Sequence, residues 1–226
     1  MEPVSGAPAL FVHTETPQMH MHVVGVLILD PAGVKGWTTD RVLDVLAERI
    51  HLIPPFRQRL VDVPAGLAHP RWIDDPEFDL DRQVHHHALD PPADDAALAA
   101  FVGDVASTPL PRDRPLWEMW IVTGRPDGTV ALVSKVHHAI MDGAAGGELM
   151  ASLFDLSPEG EAVEPADQPW QPDDPPNTGK LAGDVATTAL GRFARLPSTV
   201  IRSTGRATSI ARSAASDRLS GNAPPI

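Results

Sequence analysis

The chain has 226 residues, no cysteine and a formal net charge of -12 at pH 7. That length suffices for one large domain with a substantial core. The lack of cysteine excludes disulfides, thiolate metal ligands and a cysteine nucleophile. The negative charge argues against a general nucleic-acid binder, because phosphate contacts need clustered Lys and Arg. No apolar run could cross a bilayer and the N-terminal residues lack a signal-peptide pattern, so we expect a cytoplasmic protein.

The first elements along the chain predict a mixed α/β fold. Residues 22–29, HVVGVLIL, are mostly apolar and partly β-branched, which is typical of a buried strand. A helix is predicted over 38–50, with Thr38 or Thr39 as its cap and Val42 and Leu46 on its apolar face. We expect a mixed sheet with flanking helices.

A second helix and a hairpin follow a proline-rich stretch. Residues 71–89 are expected to be extended, and 94–108 predict a helix. Two β-type runs, 117–123 and 129–136, flank the turn sequence Arg-Pro-Asp-Gly at 125–128, so they should pair as a hairpin. A further helix is predicted over 144–156.

The composition changes after this region. Residues 157–179 are rich in Pro, Asp and Glu, which indicates a linker that is at most partly ordered. Residues 180–226 carry seven basic and two acidic residues and predict one or two helices broken near Pro197. We therefore divide the chain into a subdomain at 1–156, a linker at 157–179 and a basic helical connector at 180–226.

The sequence KVHHAIMDG at 135–143 is the strongest candidate for a chemical site. Adjacent side chains of a strand point to opposite faces, so His137 and His138 should diverge, which disfavours a shared metal ion. By alternation His138 shares the face of Val136. One imidazole should reach a cavity and could act as a general base, oriented by Asp142, while Gly143 permits a sharp bend. Alternatively, the pair merely caps a strand.

Two further histidine groups have ordinary alternatives. Three consecutive histidines at 85–87 splay apart in an extended segment, so we predict no metal site there. His20 and His22 share one strand face and could bind a metal ion, line a substrate channel or face a polar cavity, of which the last is favoured. No metal ligand set is predicted anywhere.

The motif HHAIMDG resembles the HHxxxDG motif of the CoA-dependent acyltransferases, which include chloramphenicol acetyltransferase and condensation domains. Three other stretches make the resemblance more specific. They are ETPQMHMHVVGVLIL, PPFRQRL with WIDDPEFDLDRQV, and PLPRDRPLWEMWIV. In this order they resemble the N-terminal half of the bacterial wax ester synthase/diacylglycerol acyltransferase family. The resemblance is good over 5–155 and loose over 180–226.

The resemblance implies a chloramphenicol acetyltransferase-like subdomain, one half of a two-subdomain enzyme. It implies acyl transfer from acyl-CoA, as co-substrate, to diacylglycerol or a fatty alcohol, without another cofactor. His138 would be the general base, His137 would support it and Asp142 would be mainly structural. Pro115, Leu116 and Trp117 would shape the nearby site, although for Trp117 core packing is an equal alternative.

The resemblance also implies partners and a missing part. The family's second subdomain supplies an Asn-Asp motif that residues 1–226 lack, so we expect these residues alone to be inactive and to need a C-terminal half. Lipid substrates favour peripheral association with membranes or lipid bodies, and the basic segment could lie on anionic lipid. A condensation-type or polyketide-associated acyltransferase and a non-catalytic lipid-binding protein stay open as alternatives.

Overall fold

The computed structural model describes residues 2–4, 6–63, 69–141, 153–154, 163–166 and 170–172, with Gly179 and Gly183. The chain divides into two compact units, Met1–Pro176 and Asn177–Ile226, and the first is described below. Most of the helix predicted at 144–156, most of the linker and nearly all of the basic segment lie outside the described residues, so these remain predictions.

The described residues form three α-helices and seven strands. The helices are α1 (Gly6–Thr14), α2 (Asp40–Arg49) and α3 (Asp95–Ser107). The strands are β1 (Glu2–Pro3), β2 (His22–Leu29), β3 (Gln58–Val61), β4 (Arg71–Asp74), β5 (Val84–Ala88), β6 (Trp117–Thr123) and β7 (Val130–His137). No helix of this part combines the length and the apolar character that crossing a bilayer requires.

The main sheet has four strands in the order β2-β7-β6-β5, and a smaller one has the order β1-β4-β3. In the main sheet β5 runs parallel to β6, whereas the other two pairs are antiparallel. The predicted hairpin is confirmed: Gly128 N donates to Arg125 O at 3.0 Å, and Gly128 has a φ of 76° that favours glycine. The predicted mixed α/β class is confirmed.

Apolar side chains pack against both faces of the main sheet. One face contacts α2 and the segment around Phe56 through Val130, Leu132 and Val136. The other face contacts α3 through Ala131 and Val133. Because β6 and β7 are covered on both faces, their sequences read as nearly continuous apolar runs.

Helix α1 packs on the small sheet rather than on the main one. Val4, Ala9, Leu60, Leu110 and Leu116 form this third cluster of buried residues, and Val12 of α1 packs against it. Leu116 directly precedes β6, and the first residue of β6 pairs with Val136 near the end of β7. The packing on Leu116 therefore holds the C-terminal end of α1 near the end of β7.

Strand β2 is not buried as predicted. It lies at the edge of the main sheet, and its exposed side chains include Val26 at 46%, Leu27 at 42% and Ile28 at 46%. A β-branched run reports strand propensity but does not distinguish a central strand from an edge strand. The prediction of a strand at 22–29 is confirmed, and that of its burial is wrong.

The two predicted helices begin close to their expected residues but are capped differently. Asp94 caps α3, because its Oδ1 accepts a hydrogen bond from Ala97 N at 3.0 Å. Thr39 precedes α2 without a side-chain capping bond. Helix α2 is instead held by tertiary packing, since Leu46 is fully buried in the core.

Candidate active site at the end of β7

The two histidines of the motif occupy the point where β7 ends. His137 is its last residue, and its backbone N donates to Leu116 O at 3.0 Å. The N of His138 donates to Met21 O at 2.9 Å, one residue beyond the His22–His137 pair of the β2–β7 ladder. The chain on both sides therefore fixes the backbone of the pair.

The imidazoles point to different surroundings. His137 is 1% exposed, whereas His138 is half-buried and lines a pocket of about 450 Å³. This volume lies in the range usual for small-molecule sites. The pocket is lined by Gln18, Met19, His20, Met21, His22, Val24, Ala106 and His138.

The pocket is not on the face of β7 that strict alternation predicted for His138. Its walls include Val24 and Ala106, and Val24 packs with the core on the α3 side rather than with Val136. Alternation holds only within a strand, and β7 ends at His137. The ring of His138 instead stacks on Phe11 of α1, with ring centroids 4.8 Å apart and an angle of 23°.

His20 and His22 lie together in the wall of this pocket. Their rings are stacked with centroids 5.4 Å apart. Each holds the end of α3 through Nε2, His20 on Ser107 O at 3.1 Å and His22 on Ala106 O at 2.9 Å. Since a carbonyl only accepts, Nε2 carries the proton in both rings. Burial lowers the pKa of His22 more than its bond to Ala106 raises it.

The ring of His137 is fixed in one neutral form. Its Nδ1 accepts a hydrogen bond from Ala139 N at 2.9 Å, so the proton is on Nε2. Burial lowers the pKa of His137 to about 4, and the positive charge of Arg112 and the neighbouring His138 and His22 add to this shift. At neutral pH His137 is therefore an uncharged, enclosed ring rather than a base open to the pocket.

A carboxylate that the sequence reasoning missed faces this ring. Glu15, one residue beyond α1, places Oε2 at 3.7 Å from Nε2 of His137 and is ion-paired with Arg112. Its side chain is 13% exposed, while that of Arg112 is 43% exposed. The separation from His137 exceeds a hydrogen bond, so the interaction is electrostatic. Both residues lie in stretches that carry the family resemblance, but no local pattern links them.

A buried ion pair in the sheet was also missed. Lys135 is fully buried, and its Nζ lies 3.2 Å from Oε2 of Glu118 on the neighbouring strand. The same ammonium donates to Val105 O at 3.3 Å and Thr108 O at 3.1 Å. Together with His20 and His22, Lys135 satisfies carbonyls that the end of a helix leaves without partners. These contacts join α3 to the strands that bear the pocket.

Pro115, Leu116 and Trp117 do not line the pocket. Trp117 is 1% exposed, stacks on Phe56 at 4.7 Å and donates from Nε1 to Phe56 O at 2.9 Å. Pro115 O accepts a hydrogen bond from Gln83 Nε2 at 3.1 Å, and Leu116 O holds the backbone of His137. In the structure these residues therefore pack in the core beside the motif and do not face the pocket.

The remaining candidates are placed as follows. Asp142 and Gly143 lie outside the described residues, so their predicted roles stay predictions. On β5, His86 is exposed, while His85 approaches Glu118 at 3.8 Å and His87 stacks on Phe101. Among the described residues no group of three or more His, Asp or Glu side chains could hold a metal ion.

Comparisons with a family model and with known proteins point to the same family. The model of the wax ester synthase/diacylglycerol acyltransferase catalytic domain matches residues 4–225. A Mycobacterium tuberculosis protein named as a diacylglycerol O-acyltransferase is 35% identical over 202 residues, which cover 88% of this chain and 42% of that protein. The chain thus spans less than half of that relative.

Solved structures show the same fold. The wax ester synthase/diacylglycerol acyltransferase of Marinobacter aquaeolei VT8 matches with a TM-score of 0.60 and 29% identity, over 73% of this chain and 40% of that one. A mutant starter condensation domain of rhizomide synthetase, in complex with C8-CoA, matches with a TM-score of 0.52 and 16% identity, over 67% and 34%. The second likeness shows the fold alone. With the family model matching nearly the whole chain, the protein belongs to the wax ester synthase/diacylglycerol acyltransferase family.

Proposed function

We propose that the complete protein transfers an acyl group from acyl-CoA to the hydroxyl of a diacylglycerol or a long-chain alcohol, giving triacylglycerol or a wax ester. Family membership supports the reaction class. The assignment of His138 as the base is supported by one observation: His138 lines the pocket, whereas His137 is enclosed.

In this mechanism His138 takes the proton of the acceptor hydroxyl as its oxygen attacks the thioester carbonyl. A new C–O bond forms, the C–S bond breaks, and the CoA sulfur leaves with the proton that the imidazolium returns. No acyl-enzyme is needed, which agrees with the absence of cysteine from the sequence. His137 supports the geometry through its backbone and its fixed ring, and no metal or other cofactor takes part.

The walls of the site are proposed to come from two sources. His20 and His22 would line the channel beside His138, since they share its pocket. The chain covers 42% of the relative from Mycobacterium tuberculosis, and a C-terminal half is the expected source of the opposite wall. Peripheral binding to a membrane or lipid body would bring the lipid acceptor to this channel.

The test supplies the intact protein with labelled palmitoyl-CoA and either hexadecanol or dioleoylglycerol, and identifies the product lipid. His138→Ala should lower transfer by about 10²–10⁴-fold, the usual contribution of a general base, while acyl-CoA binding persists. His86→Ala is the matched control, because His86 is an exposed histidine outside the pocket. Formation of neither ester by the intact wild-type protein would refute the proposal.

The same experiment separates the alternatives. A non-catalytic lipid-binding protein would bind acyl-CoA equally well with and without His138 and form no ester. A condensation-type enzyme would leave both hydroxyl acceptors unused, and a parallel reaction with an amine acceptor would then give the amide.

A further inference from the structure

Helix α1 and the residue directly after it reach both histidines of the motif. Phe11 stacks on the ring of His138, and Glu15, whose N donates to Phe11 O at 3.2 Å, faces the ring of His137. The helix is itself anchored, because Ala9 is buried in the cluster over the small sheet and Val12 packs against it. Helix α1 and the residue directly after it therefore approach both imidazoles.

His138 needs such a contact more than an ordinary strand residue does. It follows the last residue of β7, and Met21, the residue before β2, fixes its backbone, but its side chain has no ladder neighbour. A half-buried imidazole in this position can adopt several rotamers, and only some of them present a ring nitrogen to the pocket. A flat ring stacked at 4.8 Å limits that choice and also favours the cation that forms when the base accepts a proton.

We propose that Phe11 is a positioning residue of the acyltransferase, which holds the imidazole of His138 in its reactive orientation by aromatic stacking. The inference rests on the proposed function of His138 as the base. Phe11 does not line the pocket, so it acts through the histidine and not on the substrate.

The chain supplies a matched control for this contact. Phe101 of α3 stacks on His87 of β5 with ring centroids 4.0 Å apart and an angle of 10°, and it is half-buried, as Phe11 is. Neither Phe101 nor His87 lines the pocket. Phe101→Leu therefore removes the same kind of stack at a position outside the pocket.

The first measurement is kinetic. In the intact protein Phe11→Leu should lower kcat about three- to tenfold with the KM for palmitoyl-CoA unchanged, since an aromatic stack contributes energy of this order. Phe11→Tyr keeps the ring face and should retain most of kcat, and Phe101→Leu should match the wild type. A kcat for Phe11→Leu within twofold of the wild type, or an equal loss in Phe11→Tyr, would overturn the inference.

The second measurement does not depend on turnover. Diethylpyrocarbonate modification, followed by mass spectrometry of peptides, gives a rate for each histidine, with the exposed His86 as internal reference. Phe11→Leu should raise the rate at His138 and leave His87 unchanged, while Phe101→Leu should do the reverse. Equal rates at His138 in the wild type and Phe11→Leu would overturn the stacking role. If the wild type forms no ester, that result counts against the proposed function alone.

Discussion

The carboxylate oxygen Oε2 of Glu15 lies 3.7 Å from Nε2 of His137 and also forms an ion pair with Arg112. One negatively charged oxygen therefore faces both a guanidinium and a buried, neutral imidazole. Burial and the positive charge of Arg112 both lower the pKa of His137, and Glu15 supplies the counter-charge to that guanidinium.

Replacing Glu15 by Gln should impair turnover more than folding. The variant leaves Arg112 without its counter-charge beside His137, so we expect kcat to fall about tenfold from misplacement of the pair. Stability should fall by only about 1 kcal/mol, since Arg112 is partly exposed. Steady-state kinetics and urea unfolding measure the two effects. Glu48→Gln, at an exposed glutamate of α2, is the control, and equal kinetic losses in both variants would contradict the role.

Stability should decrease as the pH falls below about 6.5, in part because of His137. Its pKa is about 4 in the folded protein and 6.5 in the unfolded chain, so the unfolded chain binds more protons between these values. Between about pH 7.5 and about pH 5.0 this group should remove about 2 kcal/mol from the free energy of unfolding.

His137→Asn isolates that contribution. The amide can still accept the hydrogen bond from Ala139 N but does not titrate. Urea unfolding of the wild type and the variant at both pH values shows how much free energy of unfolding each protein loses on acidification. If the variant and the wild type lose equal stability on acidification, His137 is not the group responsible.

Replacement of Lys135 by Met should destabilise the protein by about 3 kcal/mol. The change leaves the buried carboxylate of Glu118 without its ammonium and removes the donor to Val105 O and Thr108 O. The double variant with Glu118→Gln should recover part of the loss, because no buried charge is then unpaired. Lys35→Met, at an exposed lysine, is the control. Strict additivity of the two single variants in chemical denaturation would disprove the coupling.

Trp117→Phe should separate a core role from substrate contact. The variant loses the indole N–H bond to Phe56 O, so stability should fall by about 1–2 kcal/mol. The KM values for acyl-CoA and for the acceptor should not change, because Trp117 is 1% exposed and does not line the pocket. Thermal unfolding and initial rates test both points, and a raised KM with unaltered stability would point to substrate contact instead.

Local sequence was sufficient for several elements of the fold. The turn at 125–128 predicted the β6–β7 hairpin, and with it the position of the two histidines at the end of β7. The helix predicted at 94–108 is α3, and its Asp94 cap depends on neighbouring residues only. The edge position of β2 was not predictable in this way, since strand order is set by which segments cover which face.

The candidate site needed contacts between segments far apart in sequence. Phe11, Glu15 and Arg112 show no spacing that relates them to the motif, yet α1 and the segment before β6 bring them to the two imidazoles. The same holds for Lys135, whose buried charge is sustained by Glu118 on another strand and by the end of α3.

By itself the sequence determined the mixed α/β class and the main hairpin and predicted the histidine pair as the candidate site, because propensity, turn type and motif are local properties. Only the tertiary structure decided that His137 is enclosed and His138 meets the pocket with His20 and His22. The physical reason is that burial and charge at a side chain depend on what the rest of the chain packs around it.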